Sequence, residues 1–78
     1  LNQRLGMSFF EYINRLRVTE SQRCLADPAF DGQSILEIGL AAGFNSKAAY
    51  NAAFKRFSDT TPSQYRAQAR ANRAASAK

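Results

Sequence analysis

Apolar and polar positions repeat with a helical period between residues 46 and 57. Apolar side chains recur there at steps of one, three and four residues, which places them on one side of a helix: Ala49, Tyr50, Ala53, Phe54 and Phe57. The other side carries two cations, one amide and two small residues, with no carboxylate: Lys47, Ala48, Asn51, Ala52 and Lys55. The pattern predicts an amphipathic helix whose second side suits the phosphates and base edges of a major groove.

A tight turn before this helix decides between two interpretations of its polar side. Two lysines and one asparagine alone fit an ordinary solvated helix face equally well. Gly43, however, stands where a helix-turn-helix needs a residue with positive φ, and Gly39 leaves room for two helices to cross steeply. Ile38, Ala42 and Phe44 supply the apolar flanks. The spacing therefore predicts a helix-turn-helix whose second helix reads DNA.

Capping boxes predict where the other helices begin. In the S/T-x-x-E/Q form, the hydroxyl of the first residue accepts a hydrogen bond from the backbone N–H of the fourth, and the side chain of the fourth accepts one from the backbone N–H of the first. The form occurs in the sequences SFFE, SILE and TPSQ, which start at Ser8, Ser34 and Thr61. We therefore predict an all-α fold with four helices, over residues 8–26, 34–42, 46–57 and 62–73.

The two outer helices differ in how well they can pack. The first has an apolar stripe made of Phe9, Tyr12, Ile13, Leu16 and Leu25. We expect that side to be buried against the helix-turn-helix. Beyond Arg66 the last helix is rich in alanine and arginine but has no apolar stripe, so we expect it to fray, with its arginines adding only a diffuse attraction for phosphate.

Basic residues are concentrated in the second half of the chain. Residues 1–45 carry four basic and five acidic side chains, whereas residues 46–78 carry seven basic side chains and one acidic one. The whole chain of 78 residues has a net charge of +5 and is long enough for one small domain. This asymmetry is expected if the predicted reading helix and the segment after it face a polyanion.

The residue types give no support to an enzyme, a metal site or a membrane segment. The chain has no histidine and one cysteine, and it lacks paired carboxylates at a suggestive spacing and a glycine-rich phosphate loop. We therefore expect no catalysis, no metal ion and no cofactor. The sequence has neither an apolar run of membrane-spanning length nor a signal peptide, which predicts a soluble cytoplasmic protein without membrane contact. Association with the nucleoid would follow from the predicted DNA binding.

Several separate blocks of sequence together resemble a known family. They are GMSF at residues 6–9, YINRLR at 12–17, ILEI at 35–38, GFNS at 43–46, FKR at 54–56 and TPSQYR at 61–66. In order and spacing, these blocks are similar to the C-terminal DNA-binding region of AraC/XylS-type bacterial transcription regulators. The similarity covers about sixty residues and does not depend on the turn alone.

The resemblance implies two helix-turn-helix units that are joined by a long linker helix and bind successive major-groove segments of double-stranded DNA. By that division, residues 1–6 end the first unit, 7–27 form the linker helix, 34–66 form a homeodomain-like three-helix unit and 67–78 form a basic tail. Most of the first unit, and any sensor or dimerisation domain, would lie outside this chain. The family also implies contact with RNA polymerase for activators.

The resemblance assigns roles along the reading helix. Bases would be contacted by Lys47, Ala48 and Ala52. Phosphates would be contacted by Asn51 and Lys55. Ser46 would cap the helix and offer its N-terminal amides to a phosphate. Because the two alanines replace longer polar side chains, they can offer a methyl contact to thymine but few hydrogen bonds, which predicts modest sequence discrimination.

Besides the two alanines, two further positions depart from the family pattern. Gly39 is commonly alanine there, so we expect the packing to survive while the helix loses roughly 0.5–1 kcal/mol of propensity. Asp59 stands where a glycine usually follows the reading helix. Aspartate tolerates a left-handed conformation better than most residues, so we expect the helix to end there with the fold unchanged.

A second function class remains open at this stage. A helical protein-interaction module could dock a partner through its basic face or its long first helix, without specific DNA binding. Affinity for a protein partner would survive moderate salt, whereas binding through several phosphates falls steeply with salt.

Overall fold

The computed structural model describes residues 8–76, which form four helices and contain no strand. They are α1 (Phe9–Ala26), α2 (Ile35–Ala41), α3 (Lys47–Ser58) and α4 (Pro62–Ser76), with one 3-10 turn at Pro28–Phe30. The predicted all-α class is confirmed. None of these helices is long and apolar enough to cross a membrane. The segment over residues 1–6, predicted to end a first unit, lies outside the described residues.

All three predicted capping boxes are present. The Ser8 hydroxyl accepts from the backbone N–H of Glu11 at 3.1 Å, and the Glu11 carboxylate accepts from the N–H of Ser8 at 3.3 Å. The same reciprocal pair opens α2 at Ser34 and α4 at Thr61, over 2.7–3.1 Å. These bonds satisfy orphan donors at the starts of α1, α2 and α4, so local sequence determines where these three helices begin.

The core lies where α2, α3 and α4 meet the second half of α1. Its largest buried side chains come from all of the first three helices: Val18, Leu25, Ile38, Tyr50 and Phe54. A chain of aromatic contacts crosses it, with ring centroids 5.2 Å apart for Phe44 and Tyr50, and 5.9 Å apart for Tyr50 and Phe54. Tyr65 of α4 adds an edge-to-face contact with Phe54 at 5.5 Å. These rings fix α3 between its neighbours.

The first half of α1 contradicts the predicted burial of its stripe. Phe9, Tyr12 and Leu16 remain 62%, 42% and 50% exposed, and only Leu25 of the predicted stripe is fully buried. The core of the domain packs against the second half of α1, so the buried residues of this helix begin only at Val18. The apolar stripe of α1 exists, but within residues 8–76 the other helices bury only its second half.

α4 extends beyond the predicted start of fraying. It runs to Ser76 and is held by oxygen atoms of Phe30, which ends the 3-10 turn, and of Asp31, which follows it. The buried Arg66 donates to the carbonyl of Phe30 at 2.8 Å. Arg70 and Arg73 approach the carboxylate of Asp31 at 3.5 and 3.2 Å. The helix is therefore docked by arginines that face a loop of the same chain, which a search for apolar periodicity does not detect.

Candidate nucleic-acid interface

The turn between α2 and α3 has the predicted helix-turn-helix geometry. Gly43 adopts φ +114°, and its N–H donates to the carbonyl of Leu40 at 3.0 Å. The N–H of Phe44 donates to the carbonyl of Gly39 at 3.1 Å, so the chain reverses within a few residues. Arg17 of α1 lies over this turn, with its guanidinium carbon 6.0 Å from the centre of the Phe44 ring. The turn is thus held by its own backbone hydrogen bonds and covered by Arg17.

Ser46 caps α3 as predicted. Its backbone is extended, and its hydroxyl accepts from the N–H of Ala49 at 3.1 Å. The carbonyl of Ser46 accepts the first intrahelical bond, from Tyr50, at 3.0 Å. The N–H groups of the first helical residues, Lys47 and Ala48, have no carbonyl one turn earlier in the helix to bind. They point out of an exposed helix end that carries no acidic residue in its first turn.

α3 presents two different sides. Tyr50, Ala53 and Phe54 are buried, as their periodicity predicted, and Phe57 is partly buried. Ala49 was assigned to the same stripe but is exposed, because it lies at the edge of that stripe nearest the solvent. The predicted DNA-facing side chains are all accessible, with Asn51 the most covered of them: Ser46, Lys47, Ala48, Asn51, Ala52 and Lys55.

Two rows of residues can be distinguished on the accessible side of α3. Lys47, Asn51 and Lys55 recur every four residues and line a groove of about 550 Å³. The other walls of this groove come from the starts of α2 and α4, through Ser34, Ile35, Leu36, Thr61 and Ser63. Ala48 and Ala52 form a separate row of small side chains beside it. The structure therefore groups Lys47 with Asn51 and Lys55 rather than with the alanines.

Sequence reasoning missed the groove residues outside α3. Ser34 and Thr61 were recognised only as helix caps, and Ser63 was not singled out. The sequence did contain a signal for these residues, because the capping boxes at residues 34 and 61 mark the starts of the two helices that flank α3 along the chain. The sequence could not say that both starts open beside the same row of α3.

Ion pairs reduce the number of cations that are available to an external anion. Within residues 8–76 the described pairs are Arg23 with Glu20, Arg56 with Glu11, and both Arg70 and Arg73 with Asp31. Hydrogen bonds from Arg73, and its charge, hold the pKa of the Asp31 carboxyl below its usual range. Lys47 and Lys55 take no part in these pairs. Among the lysines and arginines of α3, Lys47 and Lys55 are therefore the two that no described ion pair holds.

Comparison with known proteins agrees with this geometry. The family model described as a helix-turn-helix domain matches residues 1–68. The chain belongs to the helix-turn-helix family, of the AraC type. Within this helix-turn-helix domain, α2 and α3 are the two helices of the motif and Gly43 opens the turn. The domain is a DNA-binding domain of an AraC-type regulator.

Similar proteins are described as transcription regulators. The probable transcription factor PqrA of Proteus vulgaris is 34% identical over 61 residues, which are 78% of this domain and 48% of that protein. The Msm operon regulatory protein of Streptococcus mutans serotype c is 35% identical over 67 residues, 86% of this domain and 23% of that protein. An uncharacterised HTH-type transcriptional regulator of Staphylococcus aureus (strain COL) is 34% identical over 62 residues, 80% of this domain and 8% of that protein.

The helix-turn-helix domain therefore spans less than half the length of these curated relatives. No solved structure matches it.

Proposed function

We propose that this domain binds double-stranded DNA sequence-specifically by inserting α3 into the major groove. The observation that carries the proposal is the composition of the accessible side of α3, where two lysines outside the ion pairs of the domain stand next to small side chains and no carboxylate. A helix of this length, roughly 18 Å, can cross a groove that is about 12 Å wide. The small row lets the helix axis come close to the base edges.

The two rows of α3 suggest two kinds of contact. Asn51 and Lys55 face the groove between three helices, so we assign them to the phosphate backbone, together with the capped start of α3 at Ser46. Lys47 begins the same row at the end of α3 that enters the DNA first, and we assign it to a base edge. Ala48 and Ala52 offer methyl contacts, which favour thymine.

We further propose that α1 is the linker to another helix-turn-helix unit. The exposed apolar side chains of its first half support this, since a helix surface bearing Phe9, Phe10, Tyr12 and Leu16 is normally covered by protein. A sensor or dimerisation domain, contact with RNA polymerase, and a site of action at the nucleoid are the remaining parts of the proposal. The role is one of binding, without catalysis, metal or cofactor.

Fluorescence anisotropy of a labelled DNA duplex, titrated with the domain across a salt series, tests the proposal. We expect the logarithm of the affinity to fall with the logarithm of salt concentration with a slope of about −3 to −6. Replacing both lysines, Lys47→Ala and Lys55→Ala, should weaken binding and flatten the slope by about 0.9, because only Lys55 is assigned to a phosphate.

The matched control removes two cations elsewhere, by Arg23→Ala and Arg70→Ala. Both arginines already face carboxylates of the domain, so the salt slope should stay close to the original value. Binding that does not respond to salt would favour the alternative, a protein-interaction module with a basic face. Equal losses in the two double variants would show that net charge, and not α3, attracts the DNA.

A further inference from the structure

α3 carries a third accessible cation that the proposed contacts leave unused. Arg56 follows Ala52 by four residues and so lies one turn further along the accessible side of the helix. Its side chain is 64% exposed, yet its guanidinium donates to the carboxylate of Glu11 in α1. The two residues are 45 positions apart in the chain. This pair is the only one, among the described pairs of residues 8–76, that takes a cation from α3.

Glu11 is held in place from its own helix. One carboxylate oxygen accepts from the N–H of Ser8 in the capping box, while the other accepts from Arg56. Glu11 is also less exposed than its partner, at 32% for the side chain. The acceptor is therefore fixed at the start of α1, whereas the arginine is a long side chain that can leave it.

The surroundings of Arg56 do not require the ion pair for packing. Its guanidinium carbon lies 5.7 Å from the centre of the Phe57 ring. This contact is at the surface and does not depend on the ion pair with Glu11. α1 is joined to α3 independently, since Gln22 donates to the hydroxyl of Ser58 at 2.7 Å and Val18 is buried in the core. Exposed ion pairs contribute little to stability, so exchanging Glu11 for another anion costs the fold little.

We propose that Glu11 limits the DNA affinity of this domain by holding Arg56, which becomes an additional phosphate contact when the carboxylate is neutralised. The inference rests on the proposed function, because it requires α3 to face DNA. Glu11 acts through Arg56 and is a positioning residue. With Glu11 in place, a phosphate that approaches this end of α3 must displace an anion from Arg56 and also meets the negative charge of Glu11.

The first test is the variant Glu11→Gln in the anisotropy salt series. Glutamine serves the capping box as glutamate does, so the start of α1 is preserved. We expect binding at low salt to tighten about two- to fivefold and the log–log slope to steepen by about 0.9, the value for one added phosphate contact. A change in the salt slope would not follow from an altered stability of α1 alone.

Glu20→Gln is the matched control for Glu11→Gln. It removes the same charge from the same helix and also releases an arginine, Arg23, from an ion pair. That arginine lies near the Phe30 ring, at the other end of α1. We expect the Glu20→Gln variant to bind within about 1.5-fold of the original protein, because exposed charges far from the ligand are screened.

A double-variant cycle separates the release of Arg56 from a general loss of repulsion. Arg56→Ala alone should change affinity less than about 1.5-fold, while Lys55→Ala, one residue away and outside any described pair, should weaken it several-fold. Adding Arg56→Ala to Glu11→Gln should abolish the gain. The comparison of Arg56→Ala with Lys55→Ala needs no change at Glu11, so it tests the proposal even where Glu11→Gln disturbs folding.

A gain that persists without Arg56, or an equal gain in Glu20→Gln, would overturn the inference while leaving DNA binding by α3 intact. If instead the original protein binds without salt dependence, or its affinity ignores Lys47 and Lys55, the proposed function itself fails. The two failures are thus distinguished in the same titrations.

Discussion

Gly39 of α2 lies directly against the ring of Tyr50 of α3. A Cβ atom built on Gly39 would stand 2.7 Å from Cγ and 2.6 Å from Cε2 of that ring. Tyr50 is fully buried and packs between Phe44 and Phe54, so the ring has no free space to move into. The absence of a side chain at residue 39 therefore sets how closely the two helices of the motif approach.

Gly39→Ala should destabilise the domain. Alanine adds about 1 kcal/mol of helix propensity, but overpacking a filled core costs typically 1–3 kcal/mol, and the contact with Tyr50 decides the sign. Urea unfolding followed by circular dichroism measures the difference. The family pattern had implied that alanine would fit here, so a Gly39→Ala variant as stable as the original protein would support that expectation over the structural one.

Gly32→Ala is the control for this substitution. Gly32 lies in the loop before α2, and a Cβ there would meet no atom within 4 Å. Because alanine only restricts the unfolded chain at such a site, we expect no loss and a gain of up to about 1 kcal/mol.

Asp59→Gly should stabilise the end of α3. Asp59 adopts φ 58°, in the left-handed region, and its N–H donates to the carbonyl of Lys55 at 2.9 Å. Glycine adopts this conformation without steric cost, so the free energy of unfolding should rise by about 0.5–1 kcal/mol. The measurement is the urea midpoint, and Asp59→Ala, which keeps the strain and loses the polar side chain, should move the midpoint in the opposite direction.

Tyr50→Phe should leave stability unchanged or raise it. The Tyr50 hydroxyl is buried and finds no hydrogen-bond partner among residues 8–76. The neighbouring Ser21 hydroxyl donates to the carbonyl of Val18 at 2.9 Å and could only accept from Tyr50, but the two hydroxyls do not reach hydrogen-bonding geometry. Burial also raises the pKa of the Tyr50 phenol above its usual value. Removing an unsatisfied hydroxyl removes a desolvation cost of about 1–3 kcal/mol, and thermal unfolding would detect the gain, whereas a clear loss would reveal a bond that the hydroxyl makes.

Asp31→Asn should alter the acid sensitivity of the domain. Because Arg73 and Arg70 lower the pKa of the folded carboxyl, Asp31 stabilises the fold fully above its unfolded pKa of about 3.9, and this contribution disappears as the pH falls through the lower folded pKa. The melting temperatures of the original protein and of Asp31→Asn should therefore differ above about pH 5 and converge in acid.

The same pH series on Asp59→Asn controls for the loss of one carboxylate. Asp59 lies at the end of α3, outside the arginine cluster, and asparagine accepts the left-handed conformation. A constant difference between the original protein and Asp31→Asn at every pH would show that the arginines do not depend on the charge of Asp31.

Lys47→Ala tests whether this lysine contacts a base. If Lys47 contacts a base edge, the variant should lose about 1–3 kcal/mol on the preferred duplex and much less on a duplex changed at one base step. Competition anisotropy with a set of single-step duplexes measures the difference. Equal loss on every duplex would instead assign Lys47 to a phosphate, in agreement with its place in one row with Asn51 and Lys55.

The sequence alone determined the elements whose causes are local. All four helix starts follow from hydrogen bonds between residues three positions apart, the turn follows from the positive φ of Gly43, and the two sides of α3 follow from its period. Because each of these features depends only on residues within one or two helical turns of each other, the amino-acid sequence is sufficient to predict it. The predicted DNA-facing residues on α3 come from the same local pattern, and their contacts remain a prediction.

Only the tertiary structure decided which surfaces are covered and which charges are paired. A periodic stripe shows that one side of α1 is apolar, but not that only its second half meets the core. Likewise, the pairing of Arg56 with Glu11, of Arg73 with Asp31, and of the Gly39 backbone with the Tyr50 ring joins residues that lie 11 to 45 positions apart. Such contacts depend on how the helices pack together, and no local pattern encodes that arrangement.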